Sequence, residues 1–198
     1  MTIPPPLFPS RWAAKRAFGK DGWLTRRVRE ALPEAESKHA ERLAAALRAN
    51  RHEQHHDAEL HAVLIYMSRM NSLWQSDPLG LADLIVRLRC DRVRDELYEI
   101  AAGRTDRLHP TTVPDADAVL YGLLTTATSG PDQAHAATLT ALTIYTRYGD
   151  GTTAEVLLDK ACTADPEHHV AKTLHLAVIQ QLAPRDVAAT FLRSHTQH

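Results

Sequence analysis

The sequence lacks most of the features that announce a function. It has two cysteines, Cys90 and Cys162. That excludes a disulfide framework and a cysteine-rich zinc site, and it makes a reducing cytoplasm the expected location. Aromatic residues are only 6% of the chain, whereas strands draw on aromatic and β-branched side chains. No apolar run approaches the roughly 20 residues that cross a bilayer, so no membrane contact is expected. The opening Met1-Thr2-Ile3-Pro4-Pro5-Pro6 lacks the basic and apolar regions of a secretion signal. The formal net charge is −1 over 198 residues, which gives no overall pull toward polyanions. A phosphate-binding glycine loop with its lysine is missing, and so is a nucleophile elbow. No enzymatic activity and no cofactor are therefore expected.

What is present is helical periodicity. Alanine, leucine and arginine are abundant, and all three favour helix. Leu43, Ala46 and Leu47 share one face of a helix expected over 34–49, after a break at Pro33. Leu60, Val63, Leu64, Met67 and Met70 repeat at helical spacing after Asn50. A strong helix is expected from Leu81 to Ala102, closed by Gly103. Four further helices are expected over 115–128, 133–148, 152–163 and 167–182, and a short one from Pro184 to Arg193. Connections near 71–80 and 104–114 carry Asp77-Pro78, Pro110 and Pro114. No strand is evident. The expected fold is all-α: a bundle of about eight helices with a C-terminal tetratricopeptide-like hairpin. Residues 1–32 read as a proline-rich, basic arm, and 33–198 as a single helical domain.

Tyr145, Gly149, Ala154, Leu158, Ala161 and Pro166 fall at the offsets of a tetratricopeptide hairpin. The small residues let two helices approach, and Gly149 supplies the turn. One repeat earlier only Leu124 and Ala127 match, so an array is not expected. The stretch from Leu81 to Ala101, with Val93-Arg94-Asp95 at its centre, resembles the actinobacterial family called domain of unknown function 4192. So does Tyr148-Gly149-Asp150-Gly151 with Ala154, Leu158-Asp159, Ala161 and Asp165-Pro166, followed by Ala171 and Leu174. The likeness covers roughly residues 80–182, and more weakly 40–80. Members of that family carry an additional α/β region first, so the sequence is similar to their helical half. The resemblance implies a fold and brings no catalytic residues.

His52-Glu53-Gln54-His55-His56 matches the H-E-x-x-H pattern of zinc proteases. His52 and His56, four apart, share a helix face and can chelate one ion, with His61 as a third candidate. The flanks are polar, however, and no downstream third-ligand motif follows. Asn50 and Glu53 also have the spacing of a capping box. Glu36-Ser37-Lys38-His39 repeats the E-x-x-H element of Glu53–His56, as diiron bundles do. The two copies lie too close along the chain for bundle helices between them.

The front of the chain offers a second site. Arg11, Lys15, Arg16, Lys20, Arg26 and Arg27 are interleaved with Trp12, Phe18 and Trp23. Such a set can contact phosphates and stack bases, or it can be an amphipathic helix docked by its aromatics. Arg87, Arg89, Arg92 and Arg94 read as a solvated or ion-paired face, with Asp91, Asp95 and Glu96 in range. Asp150 reads as a helix cap. The leading expectation is a helical protein–protein interaction or structural module, with self-association included. Its contact elements are expected on the Leu81–Ala102 helix and the C-terminal hairpin. Nucleic-acid binding through the basic front and metal binding through the His52–His56 cluster are the alternatives.

Overall fold

The computed structural model describes residues 10–19, 22–68, 77–104 and 116–193. Lys20, the proline-rich start and most of the two expected connections lie outside them. Ten helices and no strand occur among the described residues, so the expected all-α bundle is present. In chain order they are α1 (Arg11–Ala17), α2 (Gly22–Arg48), α3 (His52–Ser68), α4 (Pro78–Leu88), α5 (Asp91–Ala101), α6 (Ala116–Ala127), α7 (Gly130–Tyr148), α8 (Gly151–Ala164), α9 (His169–Ile179) and α10 (Pro184–Arg193).

α7 is the axis of the molecule. Every residue from Ala136 to Tyr145 is buried, together with Ala134. A helix apolar on all sides needs neighbours all round, and α4, α5, α6, α8, α9 and α10 pack on it. Its buried threonines return their hydroxyl protons to the preceding turn. Thr138 donates to the Ala134 carbonyl, Thr140 to Ala136 and Thr143 to Leu139. No polar atom of theirs is left without a partner.

α7 and α8 form a tight hairpin. Gly149 takes the left-handed conformation, φ 65°, and its N–H donates to the Tyr145 carbonyl. That conformation favours glycine. Asp150 then caps α8 by accepting from the Thr153 N–H at 3.0 Å. Ala154 and Ala161 are fully buried. Ala161→Leu should force the helices apart and cost about 1–3 kcal/mol, read as a fall in the urea midpoint with an unchanged slope.

Three expectations differ from the structure. Pro33 does not break the chain; it lies inside the 27-residue α2. Proline frees the carbonyl four residues earlier, here that of Arg29, and both residues are exposed, so water can satisfy it. The boundary at residue 32 therefore falls within one helix, and Leu24 and Val28 belong to the core. Only Ala35 is buried in the half of α2 beyond Pro33, and Leu47 is exposed.

The helix expected over Leu81–Ala102 is two helices, broken at extended Cys90 (φ −76°, ψ 118°). The apolar stripe explains the break. Leu81, Leu84, Ile85 and Leu88 would continue at Asp91, Arg92 and Asp95; the next apolar residues are Val93, Leu97 and Ile100. One extended residue resets the phase, so both stripes face the core. Most of α4 is consequently buried, and the exposed residues between Leu81 and Ala102 are Arg89, Asp91 and Arg92.

Asn50 ends α2 instead of capping α3. Its φ is 52°, and the Arg51 N–H reaches the Ala46 carbonyl at 2.9 Å. That is a left-handed helix stop. Glu53 is thereby free of a capping role and pairs with Arg92.

Candidate functional site

α3 begins at His52, so the histidine motif occupies its first turn. Successive residues turn by roughly 100°, which divides the motif between faces. His52 and His56 stack edge to face, centroids 4.4 Å apart. His56 Nδ1 lies 3.2 Å from the thiol of Cys90. His61, nine residues beyond His52, points roughly the opposite way. It lines a surface groove with Asp57, Leu60, Leu64 and Arg92. His61 therefore does not join His52 and His56. Glu36 and Glu53, the acids of the two E-x-x-H elements, pair instead with Arg89 and Arg92.

The side chain of Glu59 is 2% exposed. A buried carboxylate needs compensating charge and hydrogen bonds, and α2 and α4 supply them. Arg42 Nε donates to Glu59 Oε1 at 3.0 Å, and Arg87 Nη1 to Oε2 at 2.6 Å. The same two guanidiniums hold Asp83, Arg42 at 3.0 Å and Arg87 at 2.7 Å. Two cations and two anions thus tie α2, α3 and α4 together with no net charge. His39 and His55 flank Glu59 at 3.4 and 3.8 Å. Burial pushes the His55 imidazole below its usual value, against the pull of Glu59.

A second histidine pair joins α7 to the turn before α9. His168 Nδ1 accepts from the Ala171 N–H at 3.0 Å. Its Nε2 must then carry the proton, which it donates to His135 Nδ1 at 2.7 Å. His135 Nε2 must in turn be protonated, and it faces Arg94 Nη1 at 3.3 Å. Two donors meet there, so a further proton is unwelcome. Burial and the Arg94 charge push His135 down to about 4.

The basic front is divided. Arg11 is tied to α8 through Glu155 at 2.6 Å and Asp159 at 2.5 Å. Phe18 packs on the core. Lys15, Arg16, Arg26 and Arg27 are exposed, as are Trp12 and Trp23; Arg16 sits over the Trp12 ring at 5.4 Å. The arginines of α4 and α5 mostly pair across helices. Arg89 bridges Glu36 and Asp132 and Arg92 holds Glu53, while Arg87 and Arg94 also have partners on their own helices, Asp83 and Asp91. Among the eight exposed large apolar side chains, Leu176, Ile179, Leu182 and Leu192 fall within the last two helices and their link. Half of the exposed large apolar side chains thus lie in one C-terminal stretch of the described residues.

An all-α core of buried helices with an ionic knot at one end defines the class: a helical domain. The sequence model of a domain of unknown function, DUF4192, matches residues 6–185, and the chain belongs to that family. The match takes in the basic front, which the sequence resemblance did not reach. No curated protein and no solved structure matches the chain.

Proposed function

We propose that the protein is a non-enzymatic interaction module that binds through the outer surface of α9 and α10, in the first instance to a second copy of itself. The observation that supports this reading is the exposure of Leu176, Ile179, Leu182 and Leu192, half of the large exposed apolar side chains among the described residues. Leu176 and Ile179 are 60% and 58% exposed although α9 is otherwise packed on α7 and α8. Leaving such side chains in water forfeits about 1.5–3 kcal/mol each relative to burial. Two copies meet without repulsion, because the net charge is −1 and the isoelectric point about 6.9. Size exclusion with light scattering on the Leu176→Glu, Ile179→Glu double variant is the test. The wild type should gain mass with concentration and the variant should not; identical profiles would refute the reading.

A second reading rests on Trp12 and Trp23. Both rings are exposed among exposed Lys15, Arg16, Arg26 and Arg27. Rings and cations in that arrangement suit single-stranded nucleic acid, where stacking contributes about 1–3 kcal/mol per base. Deleting this segment would remove Leu24 and Val28 from the core, so point variants are the proper test. Trp12→Ala with Trp23→Ala should abolish salt-dependent oligonucleotide binding measured by fluorescence anisotropy. Unaltered binding would exclude this surface.

A further inference from the structure

One group of three metal-ligating side chains stands close together among the described residues: His39 on α2 with His55 and Glu59 on α3. Their ligand atoms all lie within 4.8 Å of one another. Tetrahedral bonds of about 2.0–2.2 Å place ligands roughly 3.4 Å apart. His39 Nδ1 and Glu59 Oε2 are 3.4 Å apart, and His55 Nδ1 and Glu59 Oε1 are 3.8 Å apart. The two distances run to different oxygens of the carboxylate; with a single Glu59 oxygen as ligand, the three donor atoms still lie within 4.8 Å of one another. His39 Nδ1 is moreover buried with no hydrogen-bond partner. Buried polar atoms are normally satisfied, and a metal ion would satisfy this one.

We propose that His39, His55 and Glu59 form a binding site for one divalent transition-metal ion of the zinc type, with water in the fourth position. Two imidazole nitrogens and one carboxylate oxygen suit Zn²⁺ or Co²⁺; Ca²⁺ and Mg²⁺ take oxygen ligands. The competitor is Arg42, which already donates to Glu59 Oε1. Arg42 shares its guanidinium with Asp83, and its side chain is 34% exposed. It can release Oε1 and keep both an anion and water. Arg87 stays on Oε2 and Asp83, so Glu59 remains compensated. The ion thus replaces one charge-assisted hydrogen bond. His39 is 21% exposed, so solvent reaches part of its ring. The site is distinct from the His52–His56 pair at the start of the same helix.

The test is titration of the untagged, chelator-stripped full chain with Zn²⁺ by calorimetry and with Co²⁺ by visible absorption. One equivalent should bind, and Co²⁺ should show the intense bands of a tetrahedral site. His39→Gln should weaken binding by at least the roughly 10–100-fold that loss of a supporting residue causes. His52→Gln should leave it unchanged. His39 Nδ1 has no hydrogen-bond partner, so its substitution leaves the bonds of Arg42 and Arg87 to Glu59 in place; His55→Gln serves as a second check on the same loss. Absence of stoichiometric uptake would overturn the proposal. So would uptake that survives His39→Gln and disappears in His52→Gln.

Discussion

Glu59→Gln should lower the unfolding free energy of the metal-free protein by about 3–5 kcal/mol, the range for stripping one member from a buried ion pair. The amide keeps the shape of the side chain, removes the charge and sets an N–H donor in place of one of the two accepting oxygens. Arg42 and Arg87 would then face each other with Asp83 as their sole anion. Arg87 is the more serious problem, because its side chain is 10% exposed whereas that of Arg42 is 34% exposed. Asp83→Asn is the internal control. Asp83 is 29% exposed, so water replaces part of what is lost, and a smaller loss is expected. Urea unfolding followed by circular dichroism measures both. Equal losses would mean that the knot is not anchored at Glu59.

Acid should destabilise the protein through the histidine pair. His135 has an ordinary value of 6.5 and sits at about 4 in the fold. The unfolded chain therefore takes up its proton first as the pH falls. Stability from this group is complete above about 6.5 and is lost progressively toward 4. The shift corresponds to about 2–3 kcal/mol once partial exposure is allowed for. His168 is displaced in the same direction, chiefly by burial, and adds to the same limb. Unfolding free energies measured from pH 7 to 4 should fall along this limb. His135→Gln should flatten it. Parallel curves for wild type and variant would contradict the tautomer assignment.

Helices were legible where one stripe decided their burial. The hairpin of α7 and α8 followed from Gly149, Asp150 and the alanines at 154 and 161, because these residues act locally. Pro33 misled because a helix can continue through a proline where the freed carbonyl reaches water, and exposure cannot be read from one residue. Cys90 misled in the opposite sense: its neighbours Arg89 and Asp91 look helical, and only the phase of Val93, Leu97 and Ile100 betrays the break. The ionic knot was missed although it left a signal. Glu59 and Arg87 interrupt apolar faces at the spacing of core residues, and Asp83 and Arg87 are four apart. Arg42 joins them from another helix, which no local spacing reveals. The histidine motif pointed to α3; of its histidines it is His55, not His52, that lies beside Glu59.

Sedimentation velocity tests the interaction reading most directly. The chain should be run over a range of concentrations, alone and with a single-stranded oligonucleotide, at low and high salt. The prediction is a shift from 22.0 kDa toward twice that mass as concentration rises, unaltered by the oligonucleotide. A monomer at every concentration, or co-sedimentation with the oligonucleotide that salt abolishes, would contradict it.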